Sequence, residues 1–412
     1  MIDLDALPEP GKNVAVRVRP DAERAVRDGH PWVFGDSLVS VSREAAPGDV
    51  AVIFDRKDRF LAAGLYDPES PIRIRVLAHP DPQEIGSALF LKRLGEALGR
   101  RADVASRQTT GFRLVNGAND GLPGLVIDQY DRTLVLQLFT VAWLAHLRDL
   151  EQVLRELLAP ERIILLPSGR VGGSERWPRG AGEGGMLFGP APDGGVPFLE
   201  TGLRLEAHPF VGQKTGFYLD QRANRRRLSE RVQKGERVLN VFSYTGGFSL
   251  YAARAGAGEV VSVDQAAPAL RQARRHFELN AGEEPIAAAR HRTLAGDAFE
   301  VMARLADEGE RYDVVLVDPP SFTRSAAHRD AALAGYRRLT RLSLPLLRPG
   351  GLLVQASCSS RVSANEFYHA VTTEAREAGR PLTELERTGH APDHPVSFPE
   401  GRYLKCLWAR VD

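Results

Sequence analysis

The chain has 412 residues, a net charge of +1 at pH 7 and only two cysteines. Its length exceeds what one hydrophobic core usually organises, so two or three domains are expected. Cys358 and Cys406 are too few for a disulfide framework or a cysteine-rich zinc site, and we expect no metal. No apolar stretch approaches the roughly 20 residues of a membrane span. The acidic start MIDLDALPEP has no apolar signal core, so a cytoplasmic protein without a membrane partner is expected.

The first region, residues 12 to about 78, alternates apolar and polar positions in short bursts separated by Gly, Pro and Asp. This pattern predicts a small β barrel. The motif GHPWVF places Trp32 just past a predicted short helix. Because the region has no cluster of acids, thiols or histidines, a binding role is favoured over catalysis.

The second region begins with a linker and the amphipathic helix SALFLKRLGEAL, within residues 80 to 105. Two strands around a turn-rich segment follow in RLVNGANDGLPGLVIDQYDRTLVLQL, then a helix from about 141 to 158 and the strand RIILLP. Residues 168 to 186 are rich in Gly and Arg and predict a mobile loop. That loop is either a plain insertion or an RNA contact.

From residue 196 onward, strand and helix candidates alternate regularly, from ERVLNVF and GFSLYAARAG to a long arginine-rich helix, GLLVQAS and YLKCLWARV. This alternation predicts an α/β fold with a doubly wound sheet. Such sheets bind ligands at the carboxyl ends of their strands. The third region therefore carries the candidate active site.

Three strand ends in this region carry acids, Asp264, Asp297 and Asp318, and the first strand leads into a turn with Gly246 and Gly247. An acid about 20 residues after such glycines accepts hydrogen bonds from ribose hydroxyls, and Asp297 would meet an adenine amino group. Each acid alone is equally compatible with a helix cap. The spacing is not GxGxxG, so S-adenosylmethionine is favoured over NAD.

Two apolar runs end in chemically active groups. YDVVLVDPPSF delivers Asp318 to the sheet edge, and GLLVQASCSS places Cys358 one residue past a buried strand. If these strands are neighbours, a thiol nucleophile and a carboxylate face one crevice. A cysteine in that position is otherwise a small buried apolar residue.

Basic residues are almost all arginine, with only six lysines among 54. Arginine suits bidentate phosphate contacts, but a biased genome is favoured as the main cause, because the arginines are spread along the chain and many follow acids at helical spacing. A local cluster occurs in DQRANRRRLSER, residues 220 to 231, where Arg222 and Arg226 are among five arginines predicted on one helix. This helix is either a phosphate-binding surface or a solvated helix face.

The segments GQKTGFYLDQRANR, VLNVFSYTGGFSLYAA, VLVDPPSF, SCS and DHPVSFPEGRYLKCL resemble the bacterial ribosomal RNA large-subunit methyltransferase I family. The resemblance covers essentially the whole chain. It implies methylation of carbon 5 of a cytosine in 23S ribosomal RNA. It also implies a PUA-like RNA-binding domain at residues 1 to 80, a central α+β domain at 81 to 195, and a class I methyltransferase domain at 196 to 412.

Under this resemblance, two sets of residues surround the cofactor and the RNA. The expected contacts of S-adenosylmethionine are Lys214, Phe242, Tyr244, Thr245, Gly246, Gly247, Asp264, Asp297, Asp318 and Pro319. The expected contacts of the RNA are Pro320, Phe322, Arg222, Arg226 and Trp32. Phe322 would stack on a flipped base or pack beneath its loop.

The implied mechanism uses Cys358 as the nucleophile at cytosine carbon 6 and Asp318 at the N3 edge of the base. Some RNA cytosine methyltransferases release the product with a second cysteine in the loop after the fourth strand, but Ser321 stands there. Cys406 alternates with apolar neighbours and is assigned to the core. Two alternatives remain: an RNA amino-group or guanine N-methyltransferase, and a non-catalytic RNA-binding protein. The sequence leaves the oligomeric state, a homodimer included, open.

Overall fold

The computed structural model describes residues 1–178, 181–322 and 329–412. These residues form two compact units, and the chain passes between them more than once. The first unit comprises Met1–Gly202, Glu206–Leu219 and Pro392–Phe398; the second comprises Leu203–Leu205, Asp220–Ala391 and Pro399–Asp412. The division of the sequence into three domains stays a prediction.

The N-terminal part of the first unit is a six-stranded mixed sheet with one helix. Its elements are β1 (Val14–Val18), α1 (Pro20–Arg27), β2 (Trp32–Phe34), β3 (Leu38–Val41), β4 (Val50–Phe54), β5 (Phe60–Tyr66) and β6 (Ile72–Ala78). The strand order is β2-β6-β5-β4-β1-β3. Val14, Val16 and Val18 are buried while the residues between them are exposed, as period-two alternation predicts. The predicted short helix before Trp32 is confirmed as α1.

A second sheet follows in the same unit, in the order β11-β10-β9-β8-β7. Its elements are α2 (Ser87–Ala105), β7 (Gly111–Asn116), β8 (Leu125–Tyr130), β9 (Thr133–Leu138), α3 (Leu147–Leu158), β10 (Arg162–Pro167) and β11 (Gly185–Phe188). The prediction of two strands within residues 113 to 138 was wrong, because there are three. Asp131 adopts φ 51°, which turns the chain in two residues so that Tyr130 pairs with Thr133.

The glycine- and arginine-rich segment after β10 is packed in part. Gly169–Val171 forms a 3-10 turn, and Trp177 is buried with its indole nitrogen donating to the carbonyl of Gly182. Residues 179 and 180, which the predicted loop also includes, lie outside the described residues. In the described part, the segment is therefore anchored to the core by an aromatic side chain.

The second unit contains a seven-stranded sheet in the order β16-β15-β14-β17-β18-β20-β19. The helices and strands from residue 196 onward are β12 (Val196–Glu200), β13 (Leu203–Ala207), α4 (Arg222–Ser229), β14 (Arg237–Val241), α5 (Gly247–Arg254), β15 (Glu259–Asp264), α6 (Ala267–Leu279), α7 (Glu284–Ala288), β16 (Arg290–Ala295), α8 (Ala298–Asp307), β17 (Tyr312–Val317), α9 (Arg329–Ser343), β18 (Leu347–Ser357), α10 (Ala364–Glu377), β19 (Leu382–Thr388) and β20 (Lys405–Val411). Residues 323 to 328, the start of the predicted arginine-rich helix, lie outside the described part.

Strands β14 to β18 are parallel and β20 is antiparallel to both of its neighbours. The predicted doubly wound sheet is confirmed. The strand order reverses at β14, between β15 and β17, and such a reversal opens a crevice at the carboxyl ends of the strands. The ends of β14, β15, β17 and β18 therefore surround the candidate active site.

The sequence prediction did not include α10 or β19. The helix begins with a capping box in which Ser363 and Glu366 satisfy each other's backbone N–H groups, so its start was readable from S-x-x-E. The strand is an edge strand with mostly exposed residues, and it has no apolar run to reveal it. No helix in the described residues is long and apolar enough to cross a lipid bilayer.

Candidate active site

The turn between β14 and α5 has an unusual backbone. Phe242 (φ 60°), Tyr244 (φ 47°) and Gly246 (φ 74°) all lie in the left-handed region, which costs free energy for residues with side chains. At Gly246 a side chain would also place its Cβ 2.7 Å from the Cβ of Ala273. The turn therefore requires glycine at this position and presents backbone groups at the switch point of the sheet.

Asp264, at the end of β15, is tied to this turn. Its Oδ2 accepts a hydrogen bond from the backbone N–H of Tyr244 at 2.8 Å, and its Oδ1 accepts one from Ala266 at 2.9 Å. The carboxylate is half-buried. Asp264 thus stabilises the strained turn, and its role toward a ribose remains a prediction.

Buried hydroxyl groups in the same turn provide a test of whether a polar cofactor fits. The Oγ atoms of Ser243 and Thr245 are buried and have no hydrogen-bond partner within the described residues. The carbonyl of Thr245 lies 2.8 Å from Nδ1 of His276, which holds the end of the turn against α6. A left-handed turn with spare polar groups beside an acid fits a nucleoside ligand that approaches backbone closely.

Asp297 is the helix cap that the sequence left open as an alternative. Its Oδ1 accepts hydrogen bonds from the N–H groups of Phe299 at 2.9 Å and Glu300 at 3.2 Å, at the start of α8. The residue is exposed. The cap uses only Oδ1 of the carboxylate. Contact between the other oxygen, Oδ2, and an adenine amino group stays a prediction.

Asp318 follows the end of β17, next to the turn after β14. Its N–H donates to the carbonyl of Val241 at 3.3 Å, and its Oδ2 accepts a hydrogen bond from Nε2 of Gln221 at 2.9 Å. Gln221 is itself buried. The amide of Gln221 therefore orients the carboxylate, a contact that sequence reasoning missed.

Cys358 lies beside the Asp-Pro-Pro loop, as expected from neighbouring strands β17 and β18. Its sulfur is 4.0 Å from the carbonyl oxygen of Pro319, and the side chain is half-buried. Cys406 is 1% exposed, and burial raises the pKa of its thiol. The assignment of Cys406 to the core is confirmed, so Cys358 is the cysteine that can meet a substrate.

A buried lysine next to Cys358 was also missed. Lys405 is 6% exposed, and its ammonium donates to the carbonyls of Ser359, Val362 and Tyr403. Burial lowers the pKa of Lys405 to about 8, and the charge of Cys358 acts in the opposite direction. The strand sequence KCLWARV does not predict that Lys405 lies beside Cys358, because this placement depends on the register of the antiparallel strand.

The predicted RNA contacts on helix α4 separate into buried and exposed side chains. Arg222 is 5% exposed and Arg225 is 2% exposed, whereas Arg226 is exposed and pairs with Glu230 at 3.1 Å. The prediction that five arginines share one helix was wrong for Arg231, which lies beyond the helix. Because Arg222 and Arg225 are buried, the arginines form neither one phosphate-binding surface nor one solvated face. Arg226 is better placed than Arg222 to meet a phosphate.

Four predicted contacts remain: the aromatic residues Phe322 and Trp32, and also Pro320 and Lys214. Pro320 is exposed, while the ring of Phe322 lies 5.2 Å from that of Tyr336, which favours packing over base stacking. In the first unit, the ring of Trp32 lies 4.9 Å from that of Phe398. Lys214 also belongs to the first unit, and its ammonium lies 4.4 Å above the ring of Tyr218.

Comparison with known proteins places this geometry in a family. Residues 178–410 match the model of an S-adenosylmethionine-dependent methyltransferase, and residues 16–79 match a PUA-like domain. A ribosomal RNA large subunit methyltransferase of Deinococcus radiodurans is 46% identical over 402 residues, which cover 96% of this chain and 97% of the relative. This chain belongs to the ribosomal RNA large subunit methyltransferase family. These matches confirm the predicted fold class and the use of S-adenosylmethionine.

Further matches support the same family and the same fold. A ribosomal RNA large subunit methyltransferase I of Vibrio parahaemolyticus is 37% identical over 396 residues, covering 94% of this chain and 97% of that protein. A putative methyltransferase structure from Streptococcus mutans superposes with a TM-score of 0.81 at 22% identity, covering 96% of this chain and all of that one. The structure of another putative methyltransferase, complexed with SAH, gives a TM-score of 0.80 at 22% identity, covering 97% of this chain and 100% of that one. At these identities the two structures establish the shared fold.

Proposed function

We propose that this methyltransferase transfers a methyl group from S-adenosylmethionine to carbon 5 of a cytosine in 23S ribosomal RNA. The observation that carries the proposal is a half-buried thiol, Cys358, beside the loop that begins at Asp318. The names of the relatives support large-subunit ribosomal RNA as the substrate. We place this activity in the cytoplasm.

Cytosine carbon 5 is a weak nucleophile, and addition of a thiolate to the ring makes it more nucleophilic. The Cys358 thiolate forms a bond to carbon 6, which moves electron density onto carbon 5. Bound S-adenosylmethionine supplies an electrophilic methyl group on a positively charged sulfur. Carbon 5 would then bond to that methyl carbon as the methyl–sulfur bond breaks, with its electron pair returning to the donor's sulfur so that neutral S-adenosylhomocysteine leaves. A base then removes the carbon 5 proton, and the electrons of that C–H bond form the carbon 5–carbon 6 double bond again. The electron pair of the carbon 6–sulfur bond returns to sulfur, which restores the aromatic ring and releases Cys358.

Asp318 has a separate role at the polar edge of the base. We assign its carboxyl group to the N3 and amino edge of the cytosine, where charge develops as the thiolate adds. The hydrogen bond from Gln221 holds one oxygen of this group at 2.9 Å and fixes its orientation. In its protonated form the oriented carboxyl group donates its hydrogen to N3, so it stabilises the developing negative charge without reorganising during the reaction.

The cofactor and the RNA have separate proposed contacts. Phe242, Tyr244, Thr245, Gly246, Gly247, Asp264, Asp297 and Pro319 would hold the donor. On the RNA side, Arg226 and the exposed Pro320 of the second unit suit contact with an opened strand, since the target base must leave its stack. In the first unit, Trp32 is proposed separately as an RNA contact. Ser321, which stands where some RNA cytosine methyltransferases have a releasing cysteine, is not basic enough to remove the carbon 5 proton.

The chemical identity of the product tests this proposal. Ribosomal RNA from cells that lack the protein is incubated with the enzyme and labelled S-adenosylmethionine, digested to nucleosides and analysed by mass spectrometry. We expect 5-methylcytidine. A methyl group on an exocyclic nitrogen would instead support the Asp-Pro-Pro loop as an amino-group methyltransferase. No incorporation together with no donor binding would support a non-catalytic RNA-binding protein.

A further inference from the structure

Strand register brings Lys405 to the nucleophile. Strands β18 and β20 are antiparallel, and Lys405 pairs directly with Ser357, the residue before Cys358. The ammonium donates to the carbonyl of Ser359, the residue after Cys358. The same lysine therefore contacts the chain on both sides of the cysteine.

The ammonium of Lys405 is held by neutral groups. All three of its hydrogen-bond acceptors are backbone carbonyls, those of Ser359, of Val362 at 2.7 Å and of Tyr403 at 3.2 Å. In the part of the chain that the structure describes, no carboxylate forms an ion pair with it. A buried cation without an opposite charge is costly. A negative charge formed nearby would offset that cost.

Cys358 is placed to supply that negative charge. Its interaction with Lys405 favours the charged ammonium, which means that the ammonium favours the thiolate to the same extent. Among the described residues, Asp318, Tyr336 and Cys406 also interact with this region, since the charges of Cys358 and Asp318 act on Tyr336 and that of Asp318 acts on Cys406. The hydroxyl of Tyr336 lies 2.7 Å from Oγ of Ser357, and burial raises the pKa of Tyr336 to about 12, so it stays neutral.

We propose that Lys405 is a positioning residue that stabilises the Cys358 thiolate and fixes the backbone turn that follows it. The proposal rests on Cys358 as the nucleophile of the proposed function. A nearby ammonium lowers the pKa of a cysteine and increases the thiolate fraction at neutral pH. The three carbonyl contacts keep the turn after Cys358 in one conformation. Lys405 itself does not touch the substrate.

The test measures the reactivity of Cys358 against pH in Lys405→Met, which removes the charge. Alkylation by iodoacetamide is followed by mass spectrometry of the peptide that contains Cys358, without RNA or methyl donor. We expect the pKa from this profile to rise by at least about one unit, so that alkylation at neutral pH falls about tenfold. Lys405→Arg keeps the charge and should restore most of the reactivity. An exposed lysine, changed in Lys234→Met, is the matched control and should leave the profile unchanged.

If Lys405→Met does not fold, Lys405→Gln provides the same test, because its amide can still donate to carbonyls while the charge is lost. A folded neutral variant with the wild-type alkylation profile would overturn the proposal. The assay reports the thiol and not the methylated product. A methyl group found at another atom would therefore refute the proposed function and leave this result standing, while an unchanged profile with 5-methylcytidine as product would refute only the role of Lys405.

Discussion

Replacing Cys358 by alanine should reduce methyl transfer to ribosomal RNA by about 10³-fold or more. This loss corresponds to about 4 kcal/mol of transition-state stabilisation. The physical reason is that alanine cannot form the bond to carbon 6, so carbon 5 keeps its weak nucleophilicity. Binding of S-adenosylmethionine should be unchanged, because the strained turn after β14 and Asp264 are untouched.

The measurement is single-turnover transfer of a labelled methyl group at saturating donor. Cys406→Ala is the matched control, since it makes the same chemical change at a cysteine that is 1% exposed. That control should keep its activity when normalised to folded protein. Full activity in Cys358→Ala would exclude the cysteine adduct and favour the amino-group alternative, which needs no thiol.

Changing Asp264 to Asn should weaken donor binding by about 10- to 100-fold, since a hydrogen bond to a charged group contributes about 1.5 to 3 kcal/mol. The carboxylate accepts two backbone N–H bonds, from Tyr244 and Ala266. An amide has one oxygen, so its NH₂ group must face one of those N–H donors. The left-handed turn then loses a restraint, and any hydrogen bond to the donor's ribose is lost with it.

Isothermal titration with S-adenosylmethionine measures the effect of the Asp264 variant, and the melting temperature reports folding. Asp313→Asn is the matched control, because Asp313 lies at the opposite end of β17 and bonds the backbone N–H of Arg237 at 2.8 Å. It should change donor affinity by less than about twofold, as expected for a distant site. Equal losses in both variants would show that the effect comes from general destabilisation.

The arrangement of the sheet could be predicted from the sequence because each strand carries its own signal. The runs VLNV, VVSV and VVLV are mostly apolar and are buried on both faces, as is typical of central parallel strands, and each leads into a polar residue or loop at the ligand edge. The proximity of Cys358 to the loop at Asp318 followed from two such strands being neighbours. The position of each strand depends on local composition, and the proximity of Cys358 to the loop at Asp318 depends only on the pairing of two adjacent strands.

The features that the sequence did not predict depend on contacts between distant residues. Lys405 reaches the turn after Cys358 only through the register of β18 and β20, which no local pattern encodes. Gln221 contacts Asp318 across 97 residues of sequence. Some arginines of α4 are buried and others are exposed because of what packs against the helix. This difference cannot be predicted from their charge, which is the same for all of them. The left-handed Tyr244 is stabilised by Asp264, so its conformation is also set at a distance.

The most direct test of the cysteine mechanism uses ribosomal RNA transcribed with 5-fluorocytidine. Fluorine at carbon 5 replaces the proton that must leave, so methylation should leave Cys358 bonded to carbon 6. We predict a covalent protein–RNA complex that requires S-adenosylmethionine and is absent in Cys358→Ala. Digestion should yield a peptide with the modified nucleotide on Cys358. Methyl transfer to normal RNA without any trapped complex, or a complex formed through another residue, would contradict the account.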